Sequence, residues 1–337
     1  MNYRRLGRSG LRVAPVALGT MTMGGSLDDA AAFPLLDRAL DAGINLIDMA
    51  EMADGLQANV RRSYGVSEAL IGRWLKTRAR DRVVIATKVS GPNDAFVLGG
   101  TNPIPHIRGG NAVLDRHHLT RALEGSLARL GTDYVDLYQF HWPDRMVPVA
   151  EQLEAADRLI AAGKVRYLGV SNESAAGLAA LLGTADRNGL PRAIAIQNQY
   201  NLLDRGFERG LQELCVAEGV GLLAFSPLAM GVLSGKYADD ALPQGSRLER
   251  FPRYRPRWGK PAHRGQADAF VALCREAALD PAQVALAWVR ERAGVAAVLS
   301  SVTSAAQLDS LIASASLTLP PELLTALESL SQAPAFA

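Results

Sequence analysis

The sequence predicts an α/β fold, a (β/α)₈ barrel with an N-terminal β-hairpin and extra C-terminal helices, on three observations. Eight short apolar stretches alternate with amphipathic ones through the 337 residues. The apolar stretches, VVIATKV and GLLAFS among them, are nearly continuous rather than alternating, as parallel strands covered by helices require. Gly43, Gly163 and Gly219 stand where an amphipathic stretch hands over to an apolar one, the place of left-handed helix C-caps. Taken in order, residues 3–13, with Gly7 and Gly10 among alternating side chains, read as a hairpin plugging the barrel bottom. Strands are expected at 15–19, 45–50, 83–89, 135–141, 166–171, 193–199, 221–226 and 295–300. Helices are expected at 28–42, 67–76, 116–130, 149–162, 175–188, 207–218, 266–277 and 304–314. Asp280, Pro281 and residues 282–292 read as an added helix before the last strand, and 320–331 as a C-terminal one. No linker-like segment divides the chain, so residues 1–337 are expected to form one domain.

Composition narrows the function classes. With 48% hydrophobic and 21% charged residues the chain can bury a large core and is not disordered. A formal net charge of +2, from 36 basic against 34 acidic residues, argues against nucleic-acid or membrane-surface binding by bulk charge. No stretch approaches eighteen uncharged apolar residues and no export signal follows the N-terminal arginines, so a cytoplasmic location is expected. Cys215 and Cys274 lie in apolar helical patterns and read as reduced core thiols. The five histidines lack metal-ligand spacing, and no metal is expected; His117 and His118 are placed on a solvated helix start. Absent too are GxGxxG and GxSxG, which rules out a Rossmann fingerprint and a hydrolase elbow.

Two connections are long, 90–115 after the third strand and 227–265 after the seventh, and both leave the C-terminal ends of strands, where barrel enzymes build their sites. The second carries eight Arg or Lys from Lys236 to Arg264 and reads either as a phosphate-facing lid or as a solvated basic loop. At the ends of three strands stand ionisable residues that burial would make expensive: Asp48 in NLIDMA, Lys88 in VVIATKV and His141 in DLYQFHW. In a barrel those strands are neighbours, so an acid, a base and an imidazole would meet at one mouth and shift one another's proton affinity.

These residues sit in motifs that resemble a known family. YRRLGRSGLRVAPVALGTM, NLIDMAE, GVSEALIGRWLK, IATKVS, LGTDYVDLYQFHWP, GKVRYLGVSNES, IQNQYNLLDR, LLAFSPLAMGVLSGKY and SVTSAAQLDSL, in that order, are similar to the aldo-keto reductases, especially bacterial TIM-barrel members that use NADP(H). The resemblance implies hydride transfer between nicotinamide and a carbonyl carbon, with an Asp, Tyr, Lys and His set. Asp48, Lys88 and His141 match that set. The family's tyrosine lies five residues after the aspartate, and that position is Ala53. Tyr64 in RRSYGVSE is the nearest replacement candidate, with the loop 52–63 long enough to fold back over the mouth; the plainer reading, an ordinary aromatic at a helix entry, stands ahead of it. His141, charged or through a water, and a partly desolvated Lys88 are the other sources of a proton.

The resemblance also implies cofactor contacts. Gly19, Thr20 and Met21 match the segment at the nicotinamide ribose, while Ser171, Asn172 and Gln197 match the carboxamide-holding side chains. Phe225 stands where an aromatic stacks on the ring. Ser226, Leu228, Gly231 and Lys236 begin the pyrophosphate belt, with Arg247 a further phosphate partner. Ser301, Thr303 and Gln307 fall at the adenosine phosphate and adenine; Ser304 fits a plain helix cap as well. Leu311 replaces an expected asparagine, and Met21, Met23, Trp142 and Tyr64 are candidates to line the pocket, Trp142 reading equally as a packing residue. The leading expectation is an NADP(H)-dependent oxidoreductase acting on a polar carbonyl or hydroxyl compound, a sugar for example, with a non-standard proton donor. An isomerase, epimerase or eliminating enzyme holding NADP tightly, and a non-catalytic nucleotide-binding subunit, are the alternatives; oligomeric state stays open.

Overall fold

In a computed structural model, which describes residues 1–25, 27–52, 65–92, 113–238, 241–258 and 261–330, ten strands form two sheets. β1 (Arg4–Arg5) and β2 (Arg12–Val13) make the short antiparallel hairpin. The other eight are β3 (Val16–Gly19), β4 (Leu46–Asp48), β5 (Val84–Val89), β6 (Val135–Phe140), β7 (Val165–Ser171), β8 (Ala193–Gln199), β9 (Gly221–Phe225) and β10 (Val295–Ser300). They pair in parallel and close into a barrel in chain order, β10 returning to β3. All eight expected strands are present, shifted by three residues or fewer at any end.

Period-two alternation along these strands sorts side chains into two cores. Ala17, Leu46, Ala86, Leu137, Ala195, Leu223 and Ala297 fill the barrel, and the hairpin's Leu6, Leu11 and Val13 join them from below. Ile47, Ile85, Tyr138, Leu168, Ile196, Leu222 and Val298 point outward into the larger core beneath the helices. The helices run Asp29–Asp41, Val66–Leu75, Arg116–Leu130, Val149–Ala161, Ala175–Asn188, Leu211–Glu218, Pro261–Glu276 and Ala305–Ser314, with Pro281–Arg290 and Pro321–Leu330 as the expected additions. Asp28, Asp115, Ser174, Asp280 and Ser304 cap helix N-termini through their side chains. Gly43, Gly163 and Gly219 take positive φ as expected.

Two elements differ from expectation. The helix expected from 207 starts at Leu211, because Gly210 at φ 78° interrupts it and leaves only a 3-10 turn at Gly206–Glu208. The connection expected as a 227–265 loop folds into short helical turns at Ala229–Ser234, Arg247–Arg250, Pro252–Tyr254 and Arg255–Trp258, and the next helix begins at Pro261. Most of the 90–115 connection lies outside the described residues. Cys215 and Cys274 are buried and unpaired, and burial lifts both thiols to about 12. His118 corrects the solvated reading: it is buried, with Nε2 at 2.9 Å from the Ser90 carbonyl. Among the described residues no helix is long and apolar enough to cross a membrane.

The hairpin plug depends on Gly7. Its φ is +56°, and an added Cβ would stand 2.0 Å from the Ile194 carbonyl oxygen on β8. Gly7→Ala therefore combines left-handed strain with a backbone clash and should destabilise the protein by about 3 kcal/mol, read as a lower urea midpoint with an unchanged m-value.

Candidate active site

Two residues above the apolar barrel layer, the same inward register carries different chemistry. Gly19, Asp48, Lys88, Gln139, Ser171, Gln197, Phe225 and Leu299 each lie two positions beyond a small or apolar inward residue of their strand. Asp48 and Lys88 meet across β4 and β5: Lys88 Nζ donates to Asp48 Oδ2 at 2.6 Å and to the Met49 carbonyl at 2.7 Å. Both side chains are almost wholly buried, at 0% and 3% exposure. An unpaired charge there would cost several kcal/mol, and the neighbours offset that cost. Gln139 Nε2 on β6 and Gln197 Nε2 on β8 donate to the other carboxylate oxygen at 3.1 and 2.9 Å. Thr20 closes the β3 side, its N–H and hydroxyl both donating to the Asp48 carbonyl.

Burial holds Lys88 below the ordinary lysine value, against the opposing pull of the Asp48 carboxylate and of Glu68. Glu68, on the helix Val66–Leu75, is itself buried, accepting from Thr87 Oγ1 at 2.6 Å and from Arg129 Nε at 2.7 Å. His141 follows β6, its N–H bonded to the Val89 carbonyl of β5 at 3.0 Å. Burial, then the Lys88 charge, push its imidazole well below the ordinary histidine value. The ring is therefore neutral near pH 7, which removes the charged histidine acid from the expected proton sources; Nδ1 is buried without a hydrogen-bond partner among the described residues. Trp142 stacks flat on this ring, centroids 3.9 Å apart.

The rim continues around β7 and β8. Asn172, at φ +57°, donates through Nδ2 to the His141 carbonyl at 3.0 Å and to Ser171 Oγ at 3.1 Å, while Ser171 Oγ donates to the Gln197 carbonyl at 2.8 Å. Phe225 is half-buried at the end of β9, and Ser226, Ala229, Met230 and Gly231 follow with positive φ. Leu228 is half-buried in this turn, Lys236 is exposed, and Arg247 opens the short helix Arg247–Arg250. Across the barrel seam Ser301 Oγ donates to the Gly19 carbonyl at 2.6 Å. Thr303 donates through N and Oγ1 to Gln307 Oε1, and Ser304 caps the helix they open. Met21 is half-buried nearby, but Met23 is 1% exposed within the helix-covered core and is no pocket residue. Leu311 likewise belongs to that core.

Asp48, Lys88, His141, Ser171, Asn172 and Gln197 are thus joined through one hydrogen-bonded rim. Position 53 and Tyr64 lie outside the described residues. Sequence reasoning missed Gln139, Glu51 and Glu68. Gln139 was detectable as the one amide in VDLYQF, and Glu51, fully buried with Oε1 accepting from the Ser90 N–H at 2.8 Å, stands three residues beyond Asp48. Glu68 carried no such signal, since an acid in a helix's first turn is ordinary.

A parallel barrel with perturbed ionisable groups at the C-terminal ends of its strands is the architecture of an enzyme. The model of the aldo/keto reductase family matches residues 15–332, and the chain belongs to that family of oxidoreductases. It is 41% identical to the protein tas of Escherichia coli (strain K12), covering 98% of each chain. It is 35% identical to the uncharacterized oxidoreductase YrpG of Bacillus subtilis (strain 168), over 99% of this chain and 97% of that one. A probable voltage-gated potassium channel subunit beta of Oryza sativa subsp. japonica is 34% identical over 91% of this chain and 89% of its own.

The depressed His141 sets a pH dependence of folding. As pH falls through about 6.5 the unfolded chain takes up a proton that the folded chain refuses, so stability falls with falling pH, by up to about 1.4 kcal/mol per unit, until folded His141 protonates. His141→Gln should flatten that slope in urea titrations between pH 4.5 and 7 without changing the slope above pH 7.

Proposed function

We propose that the protein is an NADP(H)-dependent oxidoreductase that interconverts a carbonyl and a hydroxyl group on a small polar molecule, a sugar being one such substrate, with a proton donor other than a tyrosine at position 53. The observation that carries this reading is the buried Asp48–Lys88 pair, on the same rim as His141, Ser171, Asn172 and Gln197. When bound, the nicotinamide supplies or accepts the hydride. The residues present suit such a group. Ser171, Asn172 and Gln197 present hydroxyl and amide groups suited to a carboxamide, beside the Phe225 ring face. Gly19, Thr20 and Met21 would border the ribose.

The turn after Phe225 supports a phosphate belt. Non-glycine residues at positive φ are strained by about 1–3 kcal/mol each, and three of them, Ser226, Ala229 and Met230, precede Gly231 here. Ala229 and Gly231 spend their N–H groups inside the turn, on the Ser226 and Leu228 carbonyls, so the belt would be formed by the exposed Lys236 and by Arg247 beside Ser226 and Leu228. Ser301, Thr303 and Gln307 stand exposed around a helix N-terminus, whose dipole favours a phosphate. Neutral His141 is suited to orient a carbonyl oxygen rather than to protonate it.

A second reading, binding of the nucleotide without turnover, draws on the rice relative named as a channel subunit and on the alanine at position 53. One experiment separates them. NADPH should quench or transfer fluorescence on binding, and its oxidation should depend on an added aldehyde, ketone or keto-sugar. Asn172→Ala should weaken NADPH binding by about tenfold, a loss of about 1.4 kcal/mol. Binding with no turnover on any carbonyl supports the second reading, and turnover without net NADPH consumption indicates an isomerase.

A further inference from the structure

The rim turns sharply at the end of β9, into a shape that the chain does not adopt unaided. Ser226 takes φ +53°, and Ala229 and Met230 follow at +47° and +58°, in the left-handed region that residues with a Cβ disfavour. Such backbone persists only where contacts fix it. Bonds inside the turn hold its curl: Ala229 N–H donates to the Ser226 carbonyl at 3.0 Å, and Gly231 N–H to the Leu228 carbonyl at 2.8 Å. Those bonds travel with the turn and do not fix where it sits on the barrel. Two others come from the segment that follows β8. Tyr200 N–H donates to the Phe225 carbonyl at 3.2 Å, and Asn201 Nδ2 donates to the Ser226 carbonyl at 2.9 Å.

Asn201 is fully buried, and its amide is held at both ends. Oδ1 accepts from the Leu203 N–H at 2.9 Å, so a donor on one side and a carbonyl on the other fix which way the amide points. Its backbone is tied to Asp204 in both directions, at 3.2 and 3.0 Å. Arg205, which follows, is buried in ion pairs with Glu208 and with Glu328 of the C-terminal helix. A braced segment thus gives one side-chain bond to the strained residue beside Phe225. We propose that Asn201 is a positioning residue for the nicotinamide cofactor: its bond to the Ser226 carbonyl fixes the left-handed Ser226 and, with it, the direction in which Phe225 presents its ring and Ser226 its hydroxyl. The assignment rests on the cofactor reading above, in which Phe225 lies against the nicotinamide, and gives Asn201 no contact with cofactor or substrate. Without that bond the Ser226 carbonyl keeps only its partner inside the turn, and the backbone there relaxes away from positive φ. The Tyr200 side chain has no part in this, since its hydroxyl donates to Glu208 rather than to the turn.

The test measures NADPH affinity by quenching of tryptophan fluorescence in wild type, Asn201→Asp, Asn201→Ala and Tyr200→Phe. Asn201→Asp is isosteric and keeps the acceptor for the Leu203 N–H but cannot donate to Ser226, so it removes the proposed bond and little else. Asn201→Ala removes both bonds, and Tyr200→Phe removes a buried hydrogen bond of the same segment without touching the turn. Each Asn201 variant should bind NADPH about tenfold more weakly, as the loss of one buried hydrogen bond implies. Tyr200→Phe should lose thermal stability and keep NADPH affinity within about threefold of wild type. A second readout needs no cofactor. With 4-fluorophenylalanine at the eight Phe positions, the ¹⁹F signal of Phe225, assigned by its loss in Phe225→Leu, should move in the free Asn201 variants and stay in place in Tyr200→Phe. Asn201 variants that bind NADPH within about threefold of wild type overturn the assignment. So does a Phe225 signal that does not move in them, or a loss of affinity in Tyr200→Phe equal to theirs. A wild type that binds no NADPH overturns the cofactor reading itself, and the assignment with it.

Discussion

The ion pair between Asp48 and Lys88 is the constraint around which the top of the barrel is arranged. Two opposite charges taken out of water are tolerated only when every remaining lone pair and N–H is occupied or has a purpose. That condition explains why amides from β6 and β8 reach across the barrel to the Asp48 carboxylate, and why the backbone carbonyl of Met49 turns toward Nζ. Four strands are drawn to one point by a single pair. The adjoining links through Ser171 and Asn172 spread the same rigidity to β7, so the rim that would hold a cofactor is built from the bonds that neutralise the charge.

The layer below makes this possible. Ala17, Ala86, Ala195 and Ala297 are small, and Leu46, Leu137 and Leu223 alternate with them, so the interior is filled and dry beneath the pair. A dry floor is what keeps the Lys88 ammonium short of solvation and the His141 ring neutral. The hairpin under that floor has the corresponding task of closing the bottom, and Gly7 is the position where only glycine permits the approach to β8.

Most of this was legible in the chain itself. Apolar runs located every barrel strand, because parallel strands are buried on both faces and leave no polar alternation to confuse them. The errors came from local chemistry. Gly210 stopped a helix that periodicity alone extends to 207, and the basic stretch after residue 227 folded into short turns that have no strong period. His118 looked solvated beside His117 because adjacent helical residues point 100° apart, and only packing shows which one turns inward. Met23 was misplaced for a similar reason, as a methionine serves a core as readily as a pocket. Asp48, Lys88 and His141 were visible because charge inside an apolar strand is rare enough to require a reason.

By itself, then, the sequence determined the barrel, its hairpin and added helices, and the three ionisable residues at its mouth, since strand periodicity and the cost of buried charge are both properties of the local chain. Only the tertiary structure decided how those residues are wired. Gln139, Gln197 and Asp48 come from three strands separated by up to 149 positions, and no local pattern records that their side chains meet. The same holds for protonation: a neutral imidazole and a weakened ammonium follow from what surrounds each group in space, and that surrounding is assembled only when the barrel closes.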